Sequence, residues 1–434
     1  MTGPAPRLRE AWPVWLRIGL LGFGGPAGQI ALMHRELVER RGWIDQRRFL
    51  EALNVCMLLP GPEAHQLSVY VGWLLHRTRG ALVAGILFVL PGAAVLWLLS
   101  WLYAAHGETA AVAAVFAGLR PAVVALVAAA LWRVSRTAIR SPGHGLLAAA
   151  AFLALTLGHL PFPVVIATAA LIGGFFGRHL SRRTADNPLT AAQNLAEPAA
   201  TPPGATQGGT PPTAWATLRT AATWVVLWLA PLFALTWSLG PEHVLAVQAR
   251  FFSHVALVTF GGAYAVLPYV AQHAVDVHGW LTTGQMLDGL GLAETTPGPL
   301  VLVLQFVGFI GAWGSPAPFS PLVAATLGSA VTLWSTFVPS FLFILTIAPH
   351  MERLNRRPWI AAALAAVTAA VVGVILSLAV WFGREVGWPN GRLDAWAIAL
   401  SVLAWLALTR ARIGLLPVLL TCGLAGWLRY VLGL

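Results

Sequence analysis

The sequence predicts an all-α polytopic membrane protein made of two inverted-topology repeats, with broken or re-entrant helices and one connecting helix. Three observations predict it. Of 434 residues, 58% are hydrophobic and 10% charged, mean hydropathy is +0.73, and apolar runs of the ~20 residues needed to cross a hydrocarbon core recur along the chain. An ordered set of motifs returns at one spacing, 237 residues. The arginines of corresponding gaps prefer opposite sides, as inverted repeats require. So little charge leaves soluble domains without the polar surface to solvate them.

The 237-residue spacing organises the chain. Phe23-Gly24-Gly25 returns as Phe260-Gly261-Gly262, Gly42-Trp43 as Gly279-Trp280, Glu51 as Asp288, and Pro60-Gly61-Pro62 as Pro297-Gly298-Pro299. Arg120-Pro121 and Arg357-Pro358 stand at the same offset after compensating insertions. Isolated Gly and Pro coincidences are cheap in a chain with 43 Gly and 30 Pro, but an ordered series is the mark of a duplication.

Residues 1–184 then form an N-terminal transmembrane repeat. Segments 12–33 and 49–75 carry arginines at both ends, which predicts hairpins that enter the membrane and return, with FGG and PGP near their tips; full, kinked spans are the alternative. Helices follow near 81–104, 109–132, 146–160 and 161–177. Residues 185–214 are rich in Pro, Ala, Thr and Gly without hydrophobic periodicity, which predicts a flexible cytoplasmic linker. The Trp-rich segment 215–240 is the connecting transmembrane helix. It delivers residues 241–434 as a C-terminal repeat of opposite orientation, with helices near 321–348, 359–382, 395–409 and 414–432.

Arginine placement carries the orientation. Gap 34–48 has five arginines and its counterpart none; 76–80 has two and its counterpart none; around the Arg-Pro marker the bias reverses. All 27 basic residues are arginine, and the formal charge is +11. They lie in short gaps between apolar segments, so they read as topology signals and not as a nucleic-acid-binding surface. Cys56 and Cys422 each sit in an apolar segment, which gives neither a disulfide framework nor a metal site. Arg17 interrupts the first apolar run and no cleavage site follows, so no cleaved signal peptide is expected.

Pro60-Gly61-Pro62 offers two positions without a backbone N–H around one that tolerates positive φ, and a continuous helix is not expected to pass. Pro62 suits the first turn of a new helix, whose leading N–H groups are unpaired and carry the positive end of the helix dipole. Such groups must be buried in protein or line a polar cavity. Two repeats supply two such ends, an arrangement suited to an anion. A kink for helix packing is the plainer explanation of one PGP; its recurrence beside acidic residues favours a site. FGG has two open explanations: close helix approach or a backbone concavity for an anion.

Arg17 and His254 each stand six residues before an FGG and form a candidate pair of anion ligands, with snorkelling of Arg17 and plain burial of His254 as alternatives. Glu63 follows the first PGP and Glu294 precedes the second. An intramembrane carboxylate is a functional candidate by default, here for proton coupling beside a bound anion, although Glu63 also suits a helix N-terminus. His65, Gln66 and Gln305 could add polar contacts or serve packing. No HExxH, GxSxG or Walker A run occurs, so no catalytic residue, metal site or cofactor is expected.

GFGGP (22–26), Gly42-Trp43 in a basic surround, LPGPEAHQLSVYVGWLLHRTRG (59–80) and the second-half FGG and TPGP resemble the chromate ion transporter superfamily in its long, two-domain form. The resemblance covers nearly the whole chain apart from the linker. It implies a multi-pass protein of the bacterial inner membrane that exports chromate, with Gly24, Gly25, Pro60, Gly61, Pro62 and Glu63 matching the family pattern. The residues alone reach only a site for a tetrahedral oxyanion, chromate or sulfate, between the repeats. A sulfate-type uptake carrier, an anion channel and, last, an intramembrane enzyme are the alternatives. The expected partners are the anion, the lipid bilayer and a second copy in a homodimer; no nucleic acid is expected.

Overall fold

The computed structural model describes residues 6–57, 59–158, 160–180, 213–260, 262–347, 350 and 358–433. Among them are sixteen α-helices and no strand. The first half contains α1 (Leu8–Leu21), α2 (Gly25–His34), α3 (Gln46–Cys56), α4 (Glu63–His106), α5 (Ala110–Ala138), α6 (Pro142–Thr156) and α7 (Phe162–Leu180). The connecting helix is α8 (Ala214–Leu239). The second half contains α9 (Val244–Val258), α10 (Ala263–Gln272), α11 (Thr283–Thr295), α12 (Val303–Gly314), α13 (Pro321–Ile347), α14 (Pro358–Gly387), α15 (Ala395–Thr409) and α16 (Leu415–Val431). Of the linker expected at 185–214, all but Thr213 and Ala214 lie outside the described residues.

The 237-residue offset reappears in backbone detail. Both α2 and α10 end in a π-helical turn, Arg35–Glu39 and His273–Val277. The Trp43 N–H then donates to Leu37 O and the Trp280 N–H to Ala274 O, each at 2.8 Å. Gly42 and Gly279 have φ of 58° and 59°. The Asp45 side chain accepts from the Arg48 N–H to start α3, and the Thr282 side chain accepts from the Gln285 N–H to start α11.

Helix α4 contains a reversal. Residues His76 and Arg77 have non-helical φ/ψ, and a Cβ on Gly72 or Gly80 would collide with the other's carbonyl oxygen. In one straight helix these residues would stand about 12 Å apart. The two arms, residues 63–75 and 78–106, therefore fold back on each other, with the glycines at the crossing. The gap expected at 76–80 is a two-residue corner. In the second half, α12 and α13 cross in the same way at Gly308 and Gly328.

Length separates spans from half-spans. Helices α4, α5, α8, α13 and the Ala362–Gly387 part of α14 are long and apolar enough to cross a membrane. The arm 63–75 and the 12-residue α12 are only about 18–20 Å long, well short of a 30 Å hydrocarbon core. Small residues close the long-helix contacts: Gly118 meets Gly426, and Gly373 meets the Ala148 carbonyl. Trp237 and Phe175 face outward, 92% and 79% exposed, as lipid-facing side chains do.

At the arginine-rich gap, Glu36 is buried and accepts from Arg40 at 2.6 Å and from Arg41. Burial pushes its carboxyl up. The Arg41 hydrogen bond and the charges of Arg41, Arg40 and Arg17 outweigh that, leaving it below its ordinary value of 4.5.

Candidate functional site

Each PGP is a break between helices, and each is fastened to the opposite half. Gly61 has φ of 121° and Gly298 of 103°, values that only glycine adopts without strain. The Gly61 N–H donates to Thr259 O at 2.8 Å, and the Gly298 N–H donates to Gly22 O at 2.9 Å. Both donors and both acceptors are related by the same 237-residue offset. The two bonds therefore form a reciprocal cross, in which the PGP of one half meets the approach to the FGG of the other. Lipid offers no water to these N–H groups, so the exchange satisfies backbone that a break would otherwise orphan.

At the first break the surroundings are polar. Pro62 is the residue before α4, not part of its first turn as expected, and Glu63 opens the helix. A Cβ on Gly262 would stand 3.5 Å from Glu63 Oε1, so the carboxylate lies against the second FGG. Gln66 Nε2 donates to Pro60 O at 2.6 Å. A Cβ on Gly61 would lie 2.7 Å from Gln66 Nε2 and 3.3 Å from Ser340 Oγ, where α13 passes just after Pro339. Gln66 Oε1, Ser340 Oγ and His65 Nδ1 are buried without a hydrogen-bond partner. His65 is boxed by Phe337 and Phe341, with ring centroids at 5.0 and 5.3 Å.

The second break is filled. The position equivalent to Glu63 is Leu300, and Pro297, Gly298, Pro299 and Leu300 are all buried. A Cβ on Gly92, which follows Pro91 in α4, would collide with the Pro297 carbonyl, and one on Gly298 would lie 2.9 Å from Leu302 Cδ1. Gln305, buried here, donates to Ala93 O at 2.9 Å. Its role is to tie α12 to α4.

The remaining expected residues spread around this pair. Gly24 is exposed, Phe23, Gly25 and Phe260 are half-buried, and Gly261 lies outside the described residues. No atom lies within 4 Å of a Cβ on Gly25, so the first FGG borders open space. Arg17 and His254 are both exposed; Arg17 acts on Glu36, and His254 packs at 6.1 Å from Tyr269. Glu294 is buried at the end of α11 and accepts from the Tyr264 O–H at 2.6 Å. Tyr264 is two residues beyond Gly262 in the chain, and its side chain reaches Glu294 from the first turn of α10.

Four participants escaped sequence reasoning. Thr259 was legible, because it is the offset partner of Gly22 in GFGGP. Ser340 and Tyr264 had no signal beyond residue type. Asp288 was seen only as a repeat marker; it is 1% exposed and takes both Nε and Nη2 of Arg120, at 2.8 and 2.9 Å, and the Tyr103 O–H at 2.8 Å. That cluster joins α4 and α5 to α11 across the halves.

The family model described as Chromate transporter matches residues 10–174 and 246–427, which include both breaks and omit the linker. The chain is 32% identical to the chromate transport protein of Pseudomonas aeruginosa over 95% of its own length and 90% of that protein. It is 28% identical to the probable chromate transport protein of Synechococcus elongatus over 88% of the chain and 86% of the relative. To the chromate transport protein of Cupriavidus metallidurans it is 30% identical over 86% and 82%. No solved structure matches the chain.

Proposed function

The chain belongs to the chromate transporter family, and from that premise we propose that it exports chromate across the cytoplasmic membrane by secondary active transport between inverted repeats. The carrying observation is the reciprocal cross, Gly61 to Thr259 and Gly298 to Gly22. It sets the positive end of α4 against the second FGG, in a place with unpartnered polar groups. The anion sits at the first break, with Pro60, Gly61, Pro62 and Glu63 on one side and Phe260 and Gly262 on the other; Gly261, between them in the chain, is proposed as a ligand from the sequence motif alone. Pro297, Gly298 and Pro299 with Phe23, Gly24 and Gly25 form the matching hinge. The exposed guanidinium of Arg17 raises the local anion concentration on its side, and exposed His254 stands at the offset position in the second half.

Glu63 couples the anion to protons. Two unit charges 4 Å apart interact by roughly 4 kcal/mol at an effective dielectric of 20, so a dianion beside an ionised Glu63 is opposed by about twice that. The anion and a proton on Glu63 consequently bind together, and Glu294 with Tyr264 takes the proton onward. The sign of this linkage fixes the electrical driving force. An inside-negative membrane favours outward movement of a dianion by about 4.6 kcal/mol per 100 mV, and of a dianion plus one proton by about 2.3. Export is downhill electrically in both cases, and no nucleotide site or catalytic step is required.

The direct test is chromate accumulation in cells expressing the protein, with and without excess sulfate. Reduced accumulation is the expected result, and weakening of that effect by sulfate would show competition for one site. Increased accumulation would mean an uptake carrier for sulfate-like anions. Single-channel currents in planar bilayers, without coupling to a second ion, would mean a channel.

A further inference from the structure

The part of α13 that meets the first break continues a pattern. Ser329, Thr332, Thr336 and Ser340 recur at three- and four-residue steps, and at about 100° per residue they occupy one arc of roughly 80°. All four are buried. Thr332 donates to the Gly328 carbonyl at 2.8 Å, but the hydroxyls of Ser329, Thr336 and Ser340 have no partner. The common resting state of such a hydroxyl is a bond to the carbonyl four residues back, which Thr326, Thr368 and Thr421 all make. Three unpaired hydroxyls on one buried face carry a desolvation penalty with no structural return.

The face has two ends. Ser340 Oγ lies against the first break, 3.3 Å from a Cβ on Gly61. At the other end, a Cβ on Gly328 would be 3.0 Å from Gln248 Oε1, another buried atom without a partner. Eleven residues of helix separate Ser329 from Ser340, about 16 Å of rise, which is close to half the hydrocarbon thickness. At the Gly328–Thr332 part of this stretch α12 covers the helix, with Gly308 against Thr332 and Gly328, while the Ser340 end meets the first break.

We propose that the hydroxyl face of α13 is the passage by which the oxyanion moves between the first break and one membrane surface, and that α12 is the cover that moves aside. This rests on the transport function proposed above. A tetrahedral dianion presents only acceptor oxygens, so its path must offer donors. Neutral hydroxyls suit a path better than arginines do, because an ion must be held strongly enough to enter and weakly enough to leave. In the conformation described, the glycine crossing holds the cover shut.

The full-length protein in proteoliposomes tests this through saturable chromate flux. The variants Ser329→Ala, Thr336→Val and Ser340→Ala should each lower kcat/KM five- to tenfold and together more than 100-fold. Thermal unfolding should stay equal or rise, because an unpaired hydroxyl has been removed. Unchanged flux in the triple variant overturns the passage, and so does a flux loss matched by lost stability in every variant. A second measurement uses Ser340→Cys and Thr336→Cys in a Cys56→Ala, Cys422→Ala background, treated with an anionic methanethiosulfonate. Labelling should stop flux and be slowed at least fivefold by sulfate, the protecting ion of choice because chromate oxidises thiols. No labelling at either position, or labelling indifferent to sulfate, overturns it. If wild-type vesicles move neither anion, the transport function itself fails.

Discussion

The two breaks share a backbone and differ in what fills it. Gly61 and Gly298 have φ of 121° and 103° and donate across the halves at 2.8 and 2.9 Å. Yet Glu63 stands where the second half has Leu300, and Ser340 after Pro339 meets the first break much as Gly92 after Pro91 meets the second. The same divergence holds at Glu51 and Asp288. Glu51 is exposed in an i,i+4 pair with Arg47 at 2.9 Å, while Asp288 is buried under Arg120 and Tyr103. The lesson is that a low-dielectric surround holds the backbone solution fixed, because an unpaired N–H has no water to turn to, whereas the side chains are free to diverge, into polar groups at one break and apolar filling at the other.

The comparison can be broken at the carboxylates first. Asp288→Asn strands Arg120 against a neutral group and should cost about 3–5 kcal/mol, while Glu51→Gln should stay within about 0.5 kcal/mol; denaturant unfolding of both purified variants measures the gap. Equal losses would mean that the halves have not specialised here. Next come the breaks. Gly61→Val should weaken chromate binding at least 100-fold, whereas Gly92→Ala should cost about 1–3 kcal/mol of stability by overpacking and leave the affinity of the folded fraction within threefold. Titration calorimetry on the folded fractions separates them, and lost binding in Gly92→Ala would make the second break a site as well.

Glu63→Gln should abolish the dependence of flux on the pH gradient while binding stays within threefold. A persistent dependence would move the proton to Glu294. The smallest effect belongs to Glu36, whose carboxyl is held below its ordinary 4.5. A depressed value stabilises the fold above the unfolded-state value and loses that contribution as pH falls through the folded-state one. The melting difference between wild type and Glu36→Gln should therefore be full near neutrality and fade in acid below about pH 4.5.

Much of this was legible in the sequence because the signals were local or periodic. Pro and Gly announce helix breaks by their own covalent geometry, and a duplication repeats them at a fixed offset. The asymmetry was legible too, since Leu300 stands in plain view at the offset position of Glu63. What stayed hidden was partnership across long separations. Arg120 and Asp288 are 168 residues apart in the chain, and nothing in either neighbourhood names the other. Ser340 is an ordinary residue of an apolar helix, marked out only by the break it touches and the bond it does not make. The folding back of α4 at His76 and Arg77 was legible as the basic gap 76–80, but its tightness, a corner of two residues with Gly72 against Gly80, was not.

The reciprocal cross also sets an order of events during synthesis. The acceptor for the Gly61 N–H is on Thr259, nearly 200 residues further along the chain, and at 5–20 residues per second the ribosome delivers it about 10–40 s later. Through that interval the first half must wait with an open backbone position and a carboxylate that lipid will not accept. A nascent chain of this kind depends on the insertion machinery to shelter its first half until the second arrives. A stall or truncation between the halves would therefore leave the Gly61 N–H without the acceptor that completes its break.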